Sequence, residues 1–444
     1  MDFRDAWSNW CRWQQPASHG PQPALLGHGA HRDARLRATA RVAQERAAAD
    51  LASSSDPAVE APSRSRLRTC EILAAQRFGL PMRKSSLRIL DIPSVAAPAA
   101  RRVEVTRYAP DLPLEQRVSL CEDMQPSLGP GLIRIGLLAM TVHPADLLQI
   151  DGRYGVQPPL PYTPGHEGVA IVLSVAPDVD TLKVGDLVVP LAPGGTWRDE
   201  RVLSSRQVVV LDGDVDVLQC AMLSANPMTA WVLLYGIVAL EGPVCLIQNA
   251  ANSAVGQCVR QLAAQMGIRL INVVRRAEAL DGARLGDEHW IIDEGLSVTE
   301  FVRRIKALAD GRPVPLALDA VAGESTRKLA AAVDVGAKVA VYGLLSQKPS
   351  EVMPEDLIFR TVSVEGFWLA NWFADPAHRA AAKSAMSALQ RLMAEGVLKM
   401  AVQQTFDLGQ VAGALACAAK PHRTGKVLLT GAWLAHLAEP LGKP

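Results

Sequence analysis

Between Val244 and Gly267 the stretch VCLIQNAANSAVGQCVRQLAAQMG reads as an apolar strand, a loop of small residues and a helix. Ala251, Ala254 and Gly256 have the spacing of a pyrophosphate loop, where small side chains let the backbone approach phosphate and the first amides of the helix donate to it. Ala replaces Gly at two of the three positions, and the same residues also read as a turn in which small side chains serve packing. Nineteen residues after Gly256, INVVRRAE presents Arg275 and Arg276. A fold that selects NAD places Asp or Glu there, on the ribose hydroxyl. A guanidinium can instead pair bidentately with a 2′-phosphate, which selects NADPH over NADH. The plain alternative is two solvated arginines at a strand end.

These residues need a sheet to hold them. From Asn226 onward the chain alternates apolar runs with helical stretches, and strands are expected at Val244–Gln248, Leu270–Val274, Trp290–Ile292, Pro315–Leu318, Lys338–Tyr342 and Ser363–Phe367. Strands of that texture separated by helices form a doubly wound parallel sheet, and six of them suffice for a dinucleotide fold. Upstream, RRVEVTRY, GLIRIGLLAMTV, HEGVAIVLSV, GDLVVPL and RQVVVL are short strands broken by Gly and Pro, so a β-rich unit is expected over residues 101–220. After Trp372 a helix is expected at Ala380–Gly396 and a strand at Gly425–Thr430; this tail is too short for an independent domain and should return to complete the β-rich unit.

Composition excludes several classes. The 444 residues carry 46 Lys and Arg against 45 Asp and Glu, so no general field draws the chain to nucleic acid or an anionic membrane. No run approaches the roughly 20 apolar residues that span a bilayer. Seven cysteines (Cys11, Cys70, Cys121, Cys220, Cys245, Cys258, Cys417) form no CxxC pair, which fits free thiols in a reducing compartment and neither a disulfide scaffold nor a structural zinc site. No secretory signal is read at the start, and a cytoplasmic location is expected.

At ~150 residues per domain the length predicts about three units, but the charge is unevenly spread. Residues 1–100 hold 14 basic and 9 acidic residues, a net of +5, which leaves −4 for the rest. That first hundred is rich in Ala, Arg, Ser and Pro with few β-branched or aromatic residues, and reads as a poorly ordered extension in which Arg32–Ala52 has helical propensity alone. Its Arg and Ala content also fits a mitochondrial transit peptide, although Asp2, Asp5, Asp33, Glu45 and Asp50 are more acid than such leaders carry.

The parts NP-x-TAW, QNAANSAVGQ, GDEHWIID, VYGLLS, GFWLANW and GKVLL, in that order after a β-rich segment, resemble the zinc-independent medium-chain dehydrogenase/reductase superfamily. DGRYG, QNAANS, INVVR and GFWLANW make the chain most similar to its mitochondrial-type trans-2-enoyl-thioester reductases, and the quinone oxidoreductases share the pattern. The resemblance spans residues 101–430. It implies a GroES-like catalytic domain over 101–224 and 370–444 and an NADP-binding Rossmann domain over 225–369. The implied activity is NADPH-dependent reduction of the 2,3 double bond of enoyl thioesters on CoA or acyl carrier protein, in a homodimer. Quinone or enone reduction is the alternative, and a nucleotide-binding relative without turnover a third reading.

Site residues follow motif by motif from the resemblance. Tyr154 in DGRYG matches the catalytic tyrosine, and a phenol, protonated at neutral pH, can bond a developing oxyanion or deliver a proton; an ordinary loop tyrosine is the bland reading. Asn226 is implied at the nicotinamide end, Asn252, Ser253, Ala254, Val255 and Gly256 at the pyrophosphate, and Arg275 with Arg276 at the 2′-phosphate. Tyr342, Gly343, Phe367, Trp368 and Leu369 are implied along the cofactor crevice, Trp368 and Trp372 along the acyl pocket or a dimer face, and Lys426 near a cofactor phosphate or as a surface charge. Zinc-dependent members of the superfamily carry Cys, His and Cys where this chain has His143, His166 and Asn226, and APGGTWRDE stands in place of their four-cysteine loop. An amide is a poor zinc ligand, so no metal is expected, and the two histidines should hydrogen-bond within the cleft wall.

Overall fold

The computed structural model describes Leu87 and residues 99–109, 111–191, 194–277, 284–420 and 423–438. The extension expected over residues 1–100, the helix expected at Arg32–Ala52, Cys11 and Cys70 lie wholly or almost wholly outside them. The five described cysteines are free thiols. No helix among the described residues is long and apolar enough to cross a membrane.

Six parallel strands form one sheet: Cys245–Gln248, Arg269–Val274, Glu288–Ile292, Leu316–Asp319, Lys338–Val341 and Ser363–Gly366. Numbered by chain order within the sheet they run 3-2-1-4-5-6, the order of a dinucleotide-binding fold whose ligand crevice opens where the winding reverses, at the carboxyl ends of the strands. The inner strands are buried along their whole length because helices cover both faces, which is why they read as continuous apolar runs. All six fall within two residues of the bounds expected from sequence.

The second sheet has Leu132–Thr141 at its centre, paired antiparallel with Gly168–Val175, Glu200–Ser204 and Lys426–Thr430, and extends through Leu187–Pro190 and Val208–Val210 on one side and Val402–Asp407 on the other. Arg101–Val105 and Val118–Glu122 make a separate two-stranded ribbon. The chain after residue 400 thus rejoins the β-rich sheet it left at residue 210. The helix Arg379–Ala394 buries Ala382, Ala385, Met386 and Leu389 in the core that also holds Val232, Leu233 and Val259 of the helices Asn226–Tyr235 and Ala254–Gln265. The strands Val118–Glu122, Glu200–Ser204 and Val402–Asp407 and the helices Val411–Ala419 and Ala432–Ala438 were not anticipated from sequence.

Inside the parallel sheet lies an ion pair. Arg260 donates from Nε and Nη2 to the two oxygens of Glu288, both at 2.9 Å, and both side chains are 2% exposed. Asn272 donates to the same carboxylate, while its Oδ1 accepts from Gln248; the guanidinium also lies 4.7 Å from the Trp290 ring centroid. Removing one partner of such a pair leaves an uncompensated buried charge. Arg260→Met is therefore expected to lower unfolding free energy by about 3–5 kcal/mol, read as a fall in the urea midpoint; an unchanged midpoint would show that Glu288 finds another donor.

Candidate active site

The loop after the first parallel strand turns through Ala250, whose φ of 45° is left-handed, and enters the helix Ala254–Gln265 at Ser253, whose hydroxyl caps it by accepting from the Gly256 amide at 3.1 Å. Only glycine fits at 256, since a Cβ would lie 2.7 Å from the carbonyl oxygens of Ala250 and Ala251. Asn252 is exposed and Ser253, Ala254 and Val255 are half-buried, so the loop keeps its backbone accessible. Arg275, exposed, and Arg276 follow the strand Arg269–Val274 directly.

Two buried donors near this loop and at the start of the helix Asn226–Tyr235 stand without an ordinary partner. Asn226 opens the helix Asn226–Tyr235, is buried, and its Nδ2 has no hydrogen-bond partner. The Tyr342 hydroxyl, at the end of the strand Lys338–Val341, is also buried without a hydrogen bond of ordinary geometry, although Ser253 lies beside it; burial pushes its phenol well up. Unsatisfied buried polar groups are rare and call for an absent partner. A small-residue loop at a helix N-terminus, basic residues at the second strand end and an orphaned amide fit a dinucleotide laid across the strand ends. Gly343 belongs to the same close-packed edge, where a Cβ would meet the Ala320 oxygen at 2.5 Å.

Tyr154 lies on an irregular loop after the helix Pro144–Ile150. Arg153 ties that loop across the crevice through Nη2 to Gln347 Oε1 at 3.1 Å. Trp368, just beyond the sixth parallel strand, donates its Nε1–H to the Tyr154 oxygen at 2.9 Å. The phenol ring is nearly perpendicular to two neighbours, Trp368 at 5.6 Å and His166 at 5.2 Å between centroids. Burial raises the Tyr154 pKa, and the Trp368 donor partly opposes this. Phe367 and Leu369 flank Trp368 and pack on the core. Trp372 is not brought to Tyr154: it stacks on His378 at 4.6 Å and meets Phe373 edge-on.

Behind Tyr154 stand two buried carboxylates that sequence reading passed over. Asp146, 0% exposed, accepts the His143 backbone amide at 2.7 Å and bonds His166 Nδ1. Gly165, at φ 104° and with Thr196 and Trp197 where a Cβ would go, makes the turn that delivers His166. Glu167, 1% exposed, bonds His143 Nε2 through one oxygen, which also accepts from Thr141 at 3.2 Å, and accepts the Ala225 amide at 2.8 Å and the Ser224 hydroxyl at 3.3 Å on the other. Lys426 is 5% exposed and its ammonium stands 3.1 Å from His143 Nδ1. It is therefore not a surface charge, and its hydrogen bonding is turned into this network.

Electrostatics separate the two imidazoles. Burial and the Lys426 charge lower the His143 pKa against the pull of Glu167, so Nδ1 accepts from Lys426 while Nε2–H donates to Glu167. For His166, burial is outweighed by Asp146 and Glu167 and the pKa is raised. Burial would push Glu167 up, but His143, Lys426 and the Ala225 amide hold it below the usual carboxylate range. Burial draws Lys426 down to about 8 against the attraction of Glu167 and Asp146. The histidines thus hydrogen-bond to carboxylates in the cleft wall, and no group of three or more His, Cys, Asp or Glu among the described residues is arranged to hold a metal ion.

Residues 129–211 match the family model described as an alcohol dehydrogenase GroES-like domain, and residues 254–390 that of a zinc-binding dehydrogenase. The chain is 35% identical over 304 residues to human mitochondrial enoyl-[acyl-carrier-protein] reductase, covering 67% of this chain and 80% of that one. It is 38% identical over 247 residues to the Xenopus tropicalis protein of the same description, covering 54% and 69%. Among solved structures, a putative NADPH:quinone reductase from Bacillus thuringiensis superposes with a TM-score of 0.67 at 26% identity over 75% of this chain and 99% of that one. A mutant form of enoyl thioester reductase from Candida tropicalis has the same fold, with a TM-score of 0.65 at 23% identity over 75% and 100%.

The Lys426 contact makes a direct prediction. Lys426→Met removes a cation facing His143 and leaves Glu167 in place, so the His143 pKa should rise toward the ordinary histidine value and beyond that of the parent protein. An imidazole NMR titration reads this; an unmoved His143 resonance would mean that the ammonium does not face the ring in solution.

Proposed function

Because the chain belongs to the enoyl-[acyl-carrier-protein] reductase family of the medium-chain dehydrogenase/reductase superfamily, we propose that it reduces the 2,3 double bond of trans-2-enoyl thioesters carried on CoA or acyl carrier protein, using NADPH. The Trp368–Tyr154 hydrogen bond is the observation that carries this reading. An indole N–H only donates, so the phenol oxygen is the acceptor and its own proton is directed elsewhere. NADPH, when bound, supplies a hydride to the β-carbon. Negative charge then develops on the thioester oxygen, and the α-carbon takes the Tyr154 proton. Asn226, the 252–256 loop, Arg275, Arg276, Tyr342, Gly343 and the Phe367–Leu369 segment would hold the cofactor, with Trp368 at the acyl chain; Trp372, stacked on His378, is further from that role. Lys426 would act on the cofactor only through its buried network. The catalytic unit is assigned to 101–224 with 370–444 and the nucleotide unit to 225–369.

Reduction of quinones or simple enones is the second reading, favoured by the description of the Bacillus thuringiensis neighbour. A homodimer is proposed from the edge strand Ser363–Gly366, whose outer side pairs with no strand among the described residues, and from the Etr1p/Etr2p heterodimer of Candida tropicalis, which has this fold. The relatives described as mitochondrial support the matrix as a location alternative to the cytoplasm.

Three outcomes test the reading. NADPH oxidation with crotonyl-CoA should exceed that with a simple quinone, and no thioester turnover would sink the proposal. Tyr154→Phe should lower kcat by roughly 10²–10⁴ with little change in NADPH affinity; an unchanged kcat removes Tyr154 from the chemistry. Arg275→Ala should weaken NADPH far more than NADH in a fluorescence titration, since only the former carries the 2′-phosphate, and equal weakening would assign the arginine another task.

A further inference from the structure

His143 is engaged at both ring nitrogens, whereas His166 is held at one and keeps the rest of its ring toward Tyr154 and solvent. Its Nδ1 is fixed on a carboxylate with no solvent exposure, and that carboxylate is itself held by the His143 amide and sits in the first turn of the helix Pro144–Ile150. Its ring is edge-on to Tyr154 at 5.2 Å, and Trp368 meets the same phenol ring edge-on at 5.6 Å. Its side chain keeps 23% of its surface exposed, unlike His143. An imidazole fixed at one nitrogen, in contact with a candidate acid and reached by solvent, is placed to carry charge beside that acid.

We propose that His166, held by Asp146, is a positioning residue that acts as an imidazolium beside Tyr154 and stabilises the phenolate formed when Tyr154 protonates the substrate. The inference rests on the reading of Tyr154 as the proton donor. In the step itself the Tyr154 O–H bond breaks, its electron pair stays on oxygen, and a C–H bond forms at the α-carbon; no electrons are exchanged. The phenolate accepts the Trp368 N–H and faces the His166 cation. A proton from solvent water then restores the phenol. The charged and titratable groups around His166 are Asp146 on the helix, Glu167 beside it in the chain, Tyr154 on the loop, and His143 backed by Lys426 of the last strand. Two carboxylates there favour the imidazolium.

The sign follows. With its pKa raised above 6.5, His166 is charged at neutral pH and loses its charge as the pH rises, so kcat should fall through an alkaline limb. In Asp146→Asn burial remains and the attraction is lost, so the limb should move to lower pH. In His166→Asn it should disappear while kcat falls at neutral pH. The measurements are kcat against pH for the full chain and these two variants, with NADPH and either crotonyl-CoA or cyclohexenone, together with imidazole NMR titration of the cofactor-free protein. Circular dichroism melting separates misfolding from loss of charge, and whichever of the two variants stays folded carries the test. A His166→Asn protein that keeps the parent's alkaline limb, or a His166 resonance that titrates below the ordinary histidine value in the parent, overturns the proposal, and a merely structural role predicts that first result. If cyclohexenone is reduced and crotonyl-CoA is not, the thioester reading fails while the limb still decides the role of His166. Reduction of neither overturns both.

Discussion

The carboxylate of Glu167 is the constraint around which the catalytic side of this molecule is arranged. It is fully buried, and a buried charge is tolerated only when its lone pairs are met by donors. Those donors come from two separate stretches, Thr141 and His143 at and just after the end of the central antiparallel strand and Ser224 and Ala225 before the helix Asn226–Tyr235, and a third, Lys426 at the start of the last strand, backs His143. None can shift without exposing the carboxylate to an apolar surround. A register slip in the strand Lys426–Thr430 would turn Lys426 to the opposite face, so the network fixes the pairing of a strand that the sequence delivers nearly 300 residues after its neighbour. Asn226, one residue beyond the Ala225 amide, inherits its position from the same contact.

Asp146 repeats the device one layer nearer the crevice. By accepting from the backbone of His143 and the ring of His166, it connects the Glu167 network to the rings around Tyr154. The phenol is held from the other side by Trp368, which belongs to the end of the parallel sheet. Tyr154 is consequently positioned by both sheets at once although its own loop has no regular structure. A site assembled in this way can keep its geometry on a loop, because the rotamer of the reacting side chain is set by partners on rigid elements.

The parallel sheet was almost fully legible in the sequence, because strands covered on both faces are predominantly apolar and the punctuation between them is strong. The antiparallel elements were less so. VQQTFD, at Val402–Asp407, is an edge strand with three of its six residues exposed and no hydrophobic alternation, and ERVLS at Glu200–Ser204 buries a glutamate that bonds Arg134 and Trp433. Propensity cannot anticipate strands stabilised by pairing and by long-range polar contacts. The small-residue loop, Arg275, Tyr154 and Trp368 were legible as motifs. Asp146 and Glu167 stood beside the two histidines already singled out, in HPAD and GHE, and were overlooked because the reason for their burial is three-dimensional. Lys426 was singled out near a cofactor phosphate or as a surface charge, but its burial against His143 was not legible for the same reason.

The distribution of charge that results is uneven in a useful way. A net of +1 describes neither end of the crevice. Arg275 stands in solvent at one end, where an arginine meets phosphate at little desolvation cost. At the other, two buried carboxylates are paired with His143 and His166 and backed by Lys426, while His166 keeps part of its ring in solvent. A wall paired in this way leaves the Tyr154 hydroxyl, whose oxygen accepts from Trp368, and the unpartnered Asn226 amide as oriented donors toward a bound acceptor. Dipoles fixed in a low-dielectric site need not reorganise when charge develops. The buried pairs around Glu167 therefore serve the site by holding its dipoles still.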